Sequence, residues 1–364
     1  MCELAPWLLN PFHEFVSAFA QRRLPGSLIL SCANGLGSEF LAANMAKHYL
    51  CHAPTDQGPC GHCRACLALE NGEHPDFIRV PATLADEVKP QDGKQSNGLL
   101  RTLVDDASKG HSAVQRYVRI ASLRAMQERI SESAAMGHGK VAIISDAQFM
   151  PPSAANAVLK TFEEPPENTL IIMVTTSLDA LLPTILSRAY KLRVAGPSFS
   201  EAKDFLEKKL PTTAKEQLEL ALCLSYNAPY GAVRLLNSAF KVGKSERQLM
   251  DVLVNALRTL AAFFEDRTSL DKLIDALKVL PSELCSRLLE EIIFEALKYK
   301  AGVKRERLPL MSFLPYDRLA FLQAANLFAA SRDLKFIATA APMPPSRAPA
   351  AQLRTWFLKL TGRL

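Results

Sequence analysis

The sequence predicts an α/β domain built on a parallel sheet of the nucleotide-binding kind, followed by a long region of helices. Three observations carry this prediction. Residues 141–144 (Val-Ala-Ile-Ile) and 170–174 (Leu-Ile-Ile-Met-Val) are short, β-branched runs without polar alternation, which suits strands buried on both faces. Between them, a segment opened by Pro151-Pro152 carries Ala154, Ala157, Val158 and Phe162 on one side of a helix. It cannot pass Pro165-Pro166, whose rings remove N–H donors and exclude the helical region for the preceding residue. From about position 200 the apolar residues recur at helical spacing to the end. Strand, helix and strand in this order form a right-handed βαβ unit.

A chain of 364 residues is too long for one small core, so two or three domains are expected. With 48% hydrophobic and 22% charged residues, it falls in the globular class. No apolar run approaches the roughly 18 residues of a membrane span, and the first residues lack a basic-then-apolar signal pattern. A cytoplasmic protein without membrane contact is expected. The net charge of +6 arises from residue 244 onward, where 19 Lys and Arg face 13 Asp and Glu. Such a surplus suits nucleic acid, but solvated helix faces produce it without any ligand, and the latter reading is preferred. Eight cysteines without a secretion pattern read as thiols or metal ligands, not disulfides.

In chain order, Trp7, Leu8, Phe12, Phe15, Val16 and Phe19 predict an amphipathic lead-in helix, and residues 27–31 (SLILS) a first strand. The strand feeds a loop with Gly35 and Gly37 and then a helix over 41–50. Position and glycines match a phosphate loop, but its working residues are replaced. Cys32 stands for the first glycine, Ser38 for the lysine that reaches the β/γ-phosphates, and Glu39 for the hydroxyl that holds Mg²⁺. A carboxylate there repels phosphate. At the end of the 141–144 strand, Ser145-Asp146 stands where an active hydrolase of this type carries Asp-Glu. The sequence thus predicts a degenerate site that does not hydrolyse ATP and is not expected to bind it, the alternative being an ATP held uncleaved by backbone N–H groups alone.

Cys51, Cys60, Cys63 and Cys66 form C-x8-C-x2-C-x2-C. Two-residue gaps turn adjacent thiolates onto one metal, and the excursion through Pro54, Gly58 and Pro59 returns the fourth; four soft sulfurs predict closed, structural Zn²⁺. His52, His62 and His74 lie nearby without a vacancy to fill. Only Arg64 is basic here and no aromatic is interleaved, which argues against a nucleic-acid ribbon. Residues 77–80 predict a strand and 118–121 another. Residues 81–115 are polar and irregular, an insertion with disorder as the default. A helix through Leu123, Met126 and Ile130 is expected to end near Gly137-His138-Gly139.

The segment ANAVLKTFEEPP (155–166), taken with Pro183-Thr184-Ile185-Leu186-Ser187-Arg188, closely resembles the core of bacterial clamp-loader subunits of the AAA+ class. The four cysteines followed by Gly72-x-His74-Pro75-Asp76 resemble that family's zinc module. The resemblance implies an AAA+ RecA-like P-loop domain over 1–195, carrying the zinc module (51–66) and the polar insertion (81–115). A small helical lid over 196–243 and an all-α collar over 244–364 follow. It also implies a non-hydrolysing subunit of a DNA polymerase III clamp loader, partnered in a hetero-pentamer by ATPase subunits of the gamma/tau type and a delta subunit. That assembly acts on the sliding clamp and on primed DNA.

Ser187-Arg188-Ala189 stands where the family carries Ser-Arg-Cys, with alanine in place of a cysteine that packs and does no chemistry; the family's arginine enters the neighbouring subunit's ATP site and stabilises the transferring phosphoryl group. Arg188 is therefore the expected arginine finger, acting in trans, in preference to a surface arginine paired with a carboxylate. Arg234 lies near the nucleotide-sensing arginine of active members and is read as a helix-surface residue. The rival readings are a motor subunit hydrolysing its own ATP, and a zinc-dependent DNA-binding protein.

Overall fold

The computed structural model describes residues 4–84, 116–242, 245–339 and 350–362. These residues form two compact units that meet in sequence at Pro197 and Ser198. The insertion expected over 81–115 lies outside the described residues from 85 to 115, as does the proline-rich stretch 340–349. At the insertion's edges, β3 (Thr83–Leu84) and β4 (Arg116–Tyr117) pair antiparallel, Thr83 opposite Tyr117.

The first unit is organised by a five-stranded parallel sheet. Its strands are β1 (Ser27–Ser31), β2 (Phe77–Val80), β5 (Lys140–Ile144), β6 (Thr169–Thr175) and β7 (Tyr190–Arg193), ordered β2-β5-β6-β1-β7. β5 and β6 are the two β-branched runs, parallel neighbours with Ala142 opposite Ile171. Every residue of both is buried, which is why neither alternates. The helix Pro152–Glu163 crosses between them, starting with proline where a missing N–H costs nothing and stopping before Pro165-Pro166. Its Ala154, Val158 and Phe162 pack with Ile29, Ala142, Ile144, Ile171 and Met173, and with Leu123 and Met126 of the helix Ile120–Ser131. The helix Ser38–Leu50 contacts β1, β5 and β6, and the lead-in helix Pro6–Ala20 lies against it.

Two expectations need correction here. Residues 118–121 do not form a strand. Val118 makes a single backbone bond to Phe149, Arg119 is the extended cap, and Ile120 already opens the helix. That helix ends at Ser131, well short of Gly137. The Asp76 carboxylate, 1% exposed, accepts from the backbone N–H of Ala135 and of Met136 at 2.8 Å each. A side chain from a distant part of the chain thus holds the segment that a continued helix would have occupied.

The second unit shares one hydrophobic core from Ala202 to Leu360. Its helices span Phe199–Lys209, Lys215–Leu224, Pro229–Asn237, Leu249–Phe264, Leu270–Leu277, Ser282–Lys300, Tyr316–Leu319, Ala324–Thr339 and Ala350–Leu360. It is not purely helical, as the sequence had suggested. β8 (Ala239–Val242) and β9 (Ser245–Gln248) pair antiparallel, Val242 opposite Ser245. Helices on both sides of this hairpin enter the same core. The basic residues near 298–307 engage their own unit: Lys298 pairs with Glu295, Lys300 donates to the Ala320 carbonyl and Arg305 to that of Met311.

Candidate functional site

Three places carry the residues that the sequence singles out: the four cysteines, the glycine-bearing loop after β1, and the short helix that leads to Arg188.

The four cysteines converge. Their sulfurs all lie within 4.8 Å of one another, with Cys51 and Cys63 at 3.9 Å and Cys60 and Cys66 at 4.0 Å. Four sulfurs placed about 2.3 Å from a common ion at tetrahedral corners stand about 3.8 Å apart, so the set is close to the spacing that one metal requires. Backbone N–H groups point at the sulfurs: Cys60 to Cys51 at 3.3 Å, Cys63 to Cys60 at 3.4 Å, and Cys66 to Cys63 at 3.5 Å. These donors favour thiolate over thiol. For Cys63, burial acts against them but the N–H groups of Cys66 and His52 win, bringing it down to about 6. The His62 N–H shifts Cys60 in the same direction, while burial pushes Cys51 and Cys66 up.

Cys63 caps the helix Arg64–Asn71, which places Cys66 in its first turn, and Gly72 ends that helix in the left-handed region. The four thiols could hold a metal ion. None of the three nearby histidines joins them. His62 contacts the Cys60 carbonyl, His74 accepts from the Asp76 N–H, and His52 stacks on His138 with ring centroids 4.7 Å apart.

The loop after β1 enters the following helix through two glycines with positive φ. Gly35 and Gly37 adopt φ of 78° and 96°, which only glycine takes readily, and Gly37 stands at the start of the helix Ser38–Leu50. The Trp7 indole N–H fastens the loop by donating to the Leu36 carbonyl at 2.8 Å. Glu39 lies in the first helical turn, where a negative charge meets the positive end of the helix. Its Oε2 accepts from the Ser145 hydroxyl at 3.1 Å and lies 3.8 Å from the Arg79 guanidinium. The structure therefore brings together Glu39 and Ser145, two of the replaced residues, and adds Arg79, which sequence reasoning missed. Its signal was a lone cation on an otherwise apolar strand, Phe-Ile-Arg-Val.

Cys32 is buried in this loop, and burial pushes its thiol up to about 12, so it acts as packing. Asp146 leaves the sheet at φ 52° and accepts from Gln148 at 3.1 Å, and Gln148 accepts in turn from the Thr176 N–H at 3.2 Å.

Arg188 follows the turn of helix Pro183–Leu186, which is anchored by buried Ile185 in the core that holds Val158 and Phe162. The guanidinium is about half exposed. Its Nε lies 3.3 Å from Glu163 Oε1, and its Nη1 donates to the Thr184 carbonyl and the Ser187 hydroxyl at 3.3 Å each.

Residues 10–198, about half of the chain, match the family model described as DNA polymerase III, delta subunit. A relative from Escherichia coli (strain K12), DNA polymerase III subunit delta', is 30% identical over 230 residues, 63% of this chain and 60% of the relative. The delta' subunit of Yersinia pestis is 27% identical over 326 residues, 85% of this chain and 83% of that protein. The chain thus spans less than two thirds of the E. coli relative's length over the matched region. Among solved structures, a Thermotoga maritima protein described as gamma subunit-related has a TM-score of 0.40 at 17% identity. The match covers 90% of this chain and 99% of that one.

Proposed function

This chain belongs to the DNA polymerase III delta' family, and we propose that it is a non-hydrolysing clamp-loader subunit that supplies Arg188 to the ATP site of a neighbouring subunit. The observation that carries the reading is the half-exposed arginine after Ser187, found together with a glycine-bearing loop whose following helix opens with Glu39, bonded to Ser145 and near Arg79, where a phosphate-binding chain would carry a hydroxyl. A subunit of this design has no use for ATP of its own and still completes a site across an interface. On this reading the residues to 195 are the AAA+ module, 196–243 the lid and 244–364 the collar. The neighbours are ATPase subunits of the gamma/tau type and a delta subunit in a cytoplasmic hetero-pentamer that places the sliding clamp on primed DNA.

The four thiols are read as a structural zinc site. Zn²⁺ held by Cys51, Cys60, Cys63 and Cys66 would close the excursion without contributing an open position for chemistry. Metal content measured on the purified chain is expected to be one zinc per chain, lost in Cys60→Ser.

The decisive experiment assembles the loader with the native chain or with Arg188→Ala and measures ATP hydrolysis stimulated by DNA and clamp. A fall of at least tenfold in kcat with assembly intact, about 1.4 kcal/mol of transition-state stabilisation, is the expected result. Equal rates would remove the finger from the reading and leave a scaffold.

A further inference from the structure

We infer that Glu163 is a positioning residue for Arg188, fixing the plane of its guanidinium so that one edge faces outward for an anionic phosphoryl group; this rests on the finger reading above. Three contacts hold the side chain. Glu163 Oε1 forms an ion pair with Nε at 3.3 Å, and the Thr184 carbonyl and Ser187 hydroxyl accept from Nη1. Nη2 has no hydrogen-bond partner among the described residues. Two of the three nitrogens are thus fixed within the chain, and the third is presented.

Neither fold nor helix explains why a carboxylate stands at 163. It is the last residue of the helix Pro152–Glu163, where an anion meets the negative end of the helix and is disfavoured. The pair it forms is solvent-exposed, with side chains 48% and 33% accessible, and such pairs add little to stability. What the pair does achieve is geometric. Arginine is a long, rotamer-rich side chain, and freezing its planar fork before an anion arrives removes ordering that would otherwise accompany catalysis. Both carriers are rigid. Phe162, beside Glu163, and Ile185, one turn before Arg188, are buried in the same core. A site held on packed elements stays in register where one held on loops does not.

The test uses the loader assembled with gamma/tau-type ATPase subunits and reads kcat and KM for ATP separately. Glu163→Ala is expected to lower kcat on the order of tenfold with KM unchanged, because the arginine remains but is misplaced. Glu163→Gln keeps an oxygen at the same reach but loses the charge, and should recover only part of the rate. In the Arg188→Ala background, Glu163→Ala should cost nothing further. Native kcat for Glu163→Ala, in a preparation where Arg188→Ala is impaired, overturns this inference and leaves the finger standing. A further fall in the double variant also overturns it, since Glu163 would then act elsewhere. If Arg188→Ala is itself unimpaired, the finger reading fails and this inference with it. Should Glu163→Ala not enter the complex by size-exclusion chromatography, Glu163→Asp decides. Its carboxylate is drawn back by one methylene and should lower kcat, and a native rate would sink the proposal.

Discussion

At the scale of single residues, two buried groups make measurable predictions about stability. Asp76 is almost inaccessible and ties two backbone N–H groups of the 132–139 segment to the start of β2. Replacing it with alanine strands both donors. Because Ala135 is exposed and Met136 partly so, water can reach part of the wound, and the expected loss is about 2 kcal/mol by urea titration.

His48 concerns pH. It sits between the rings of Phe12, Phe15 and Phe19, and burial holds its pKa below the ordinary 6.5 against the opposing Gly58 carbonyl and Asp56 charge. His74 is lowered too, by burial first and by His52 next, with Asp76 opposing. In both cases the unfolded chain binds the proton more readily than the folded one. Stability is then level above pH about 6.5 and falls as pH drops through that value toward the folded pKa values. A melting temperature flat from about pH 7 to 8 and declining below 6.5, with a shallower decline in His48→Phe, is the expected profile. A decline on the alkaline side instead would contradict it.

At the scale of elements, the legible parts were those where one local rule decides the outcome. β1 was predicted over its full span, and the crossover helix stopped where its prolines demanded, because strand burial and missing N–H groups are local facts. The thiol set was legible from spacing, since two-residue gaps constrain sulfurs whatever surrounds them. The failures at 118–121 and near Gly137 came from long-range partners. Phe149 captures Val118, and Asp76 captures residues 135 and 136, neither of which any window of sequence displays. Arg79 was missed for the same reason, because its partner Glu39 lies forty positions away and across the sheet. The Cys51–Cys66 excursion yields its own prediction. If a metal closes it, chelation should detach Cys51 from the Arg64–Asn71 helix, expose protease sites between residues 52 and 62, and lower the first melting transition by more than about 5 °C.

At the scale of the molecule, the described chain is two cores with separate inventories. A sheet with its flanking helices ends at Pro197, and a mostly helical unit begins at Ser198. The thiol set belongs wholly to the first. Chelation is therefore expected to shift one calorimetric transition and leave the other in place, and a fragment starting at Ser198 should retain cooperative unfolding by circular dichroism. A single merged transition, moved as a whole, would show that the two cores melt as one. The chain's two tryptophans divide between these cores, and each donates its indole N–H to a backbone carbonyl at 2.8 Å: Trp7 to Leu36, Trp356 to Ala330. Each unit thus contains a native fluorophore. Trp7→Phe leaves emission that reports only on the C-terminal core, and Trp356→Phe leaves emission that reports on the loop after β1. Excitation of either variant gives an optical record of one half of the molecule without attaching a dye.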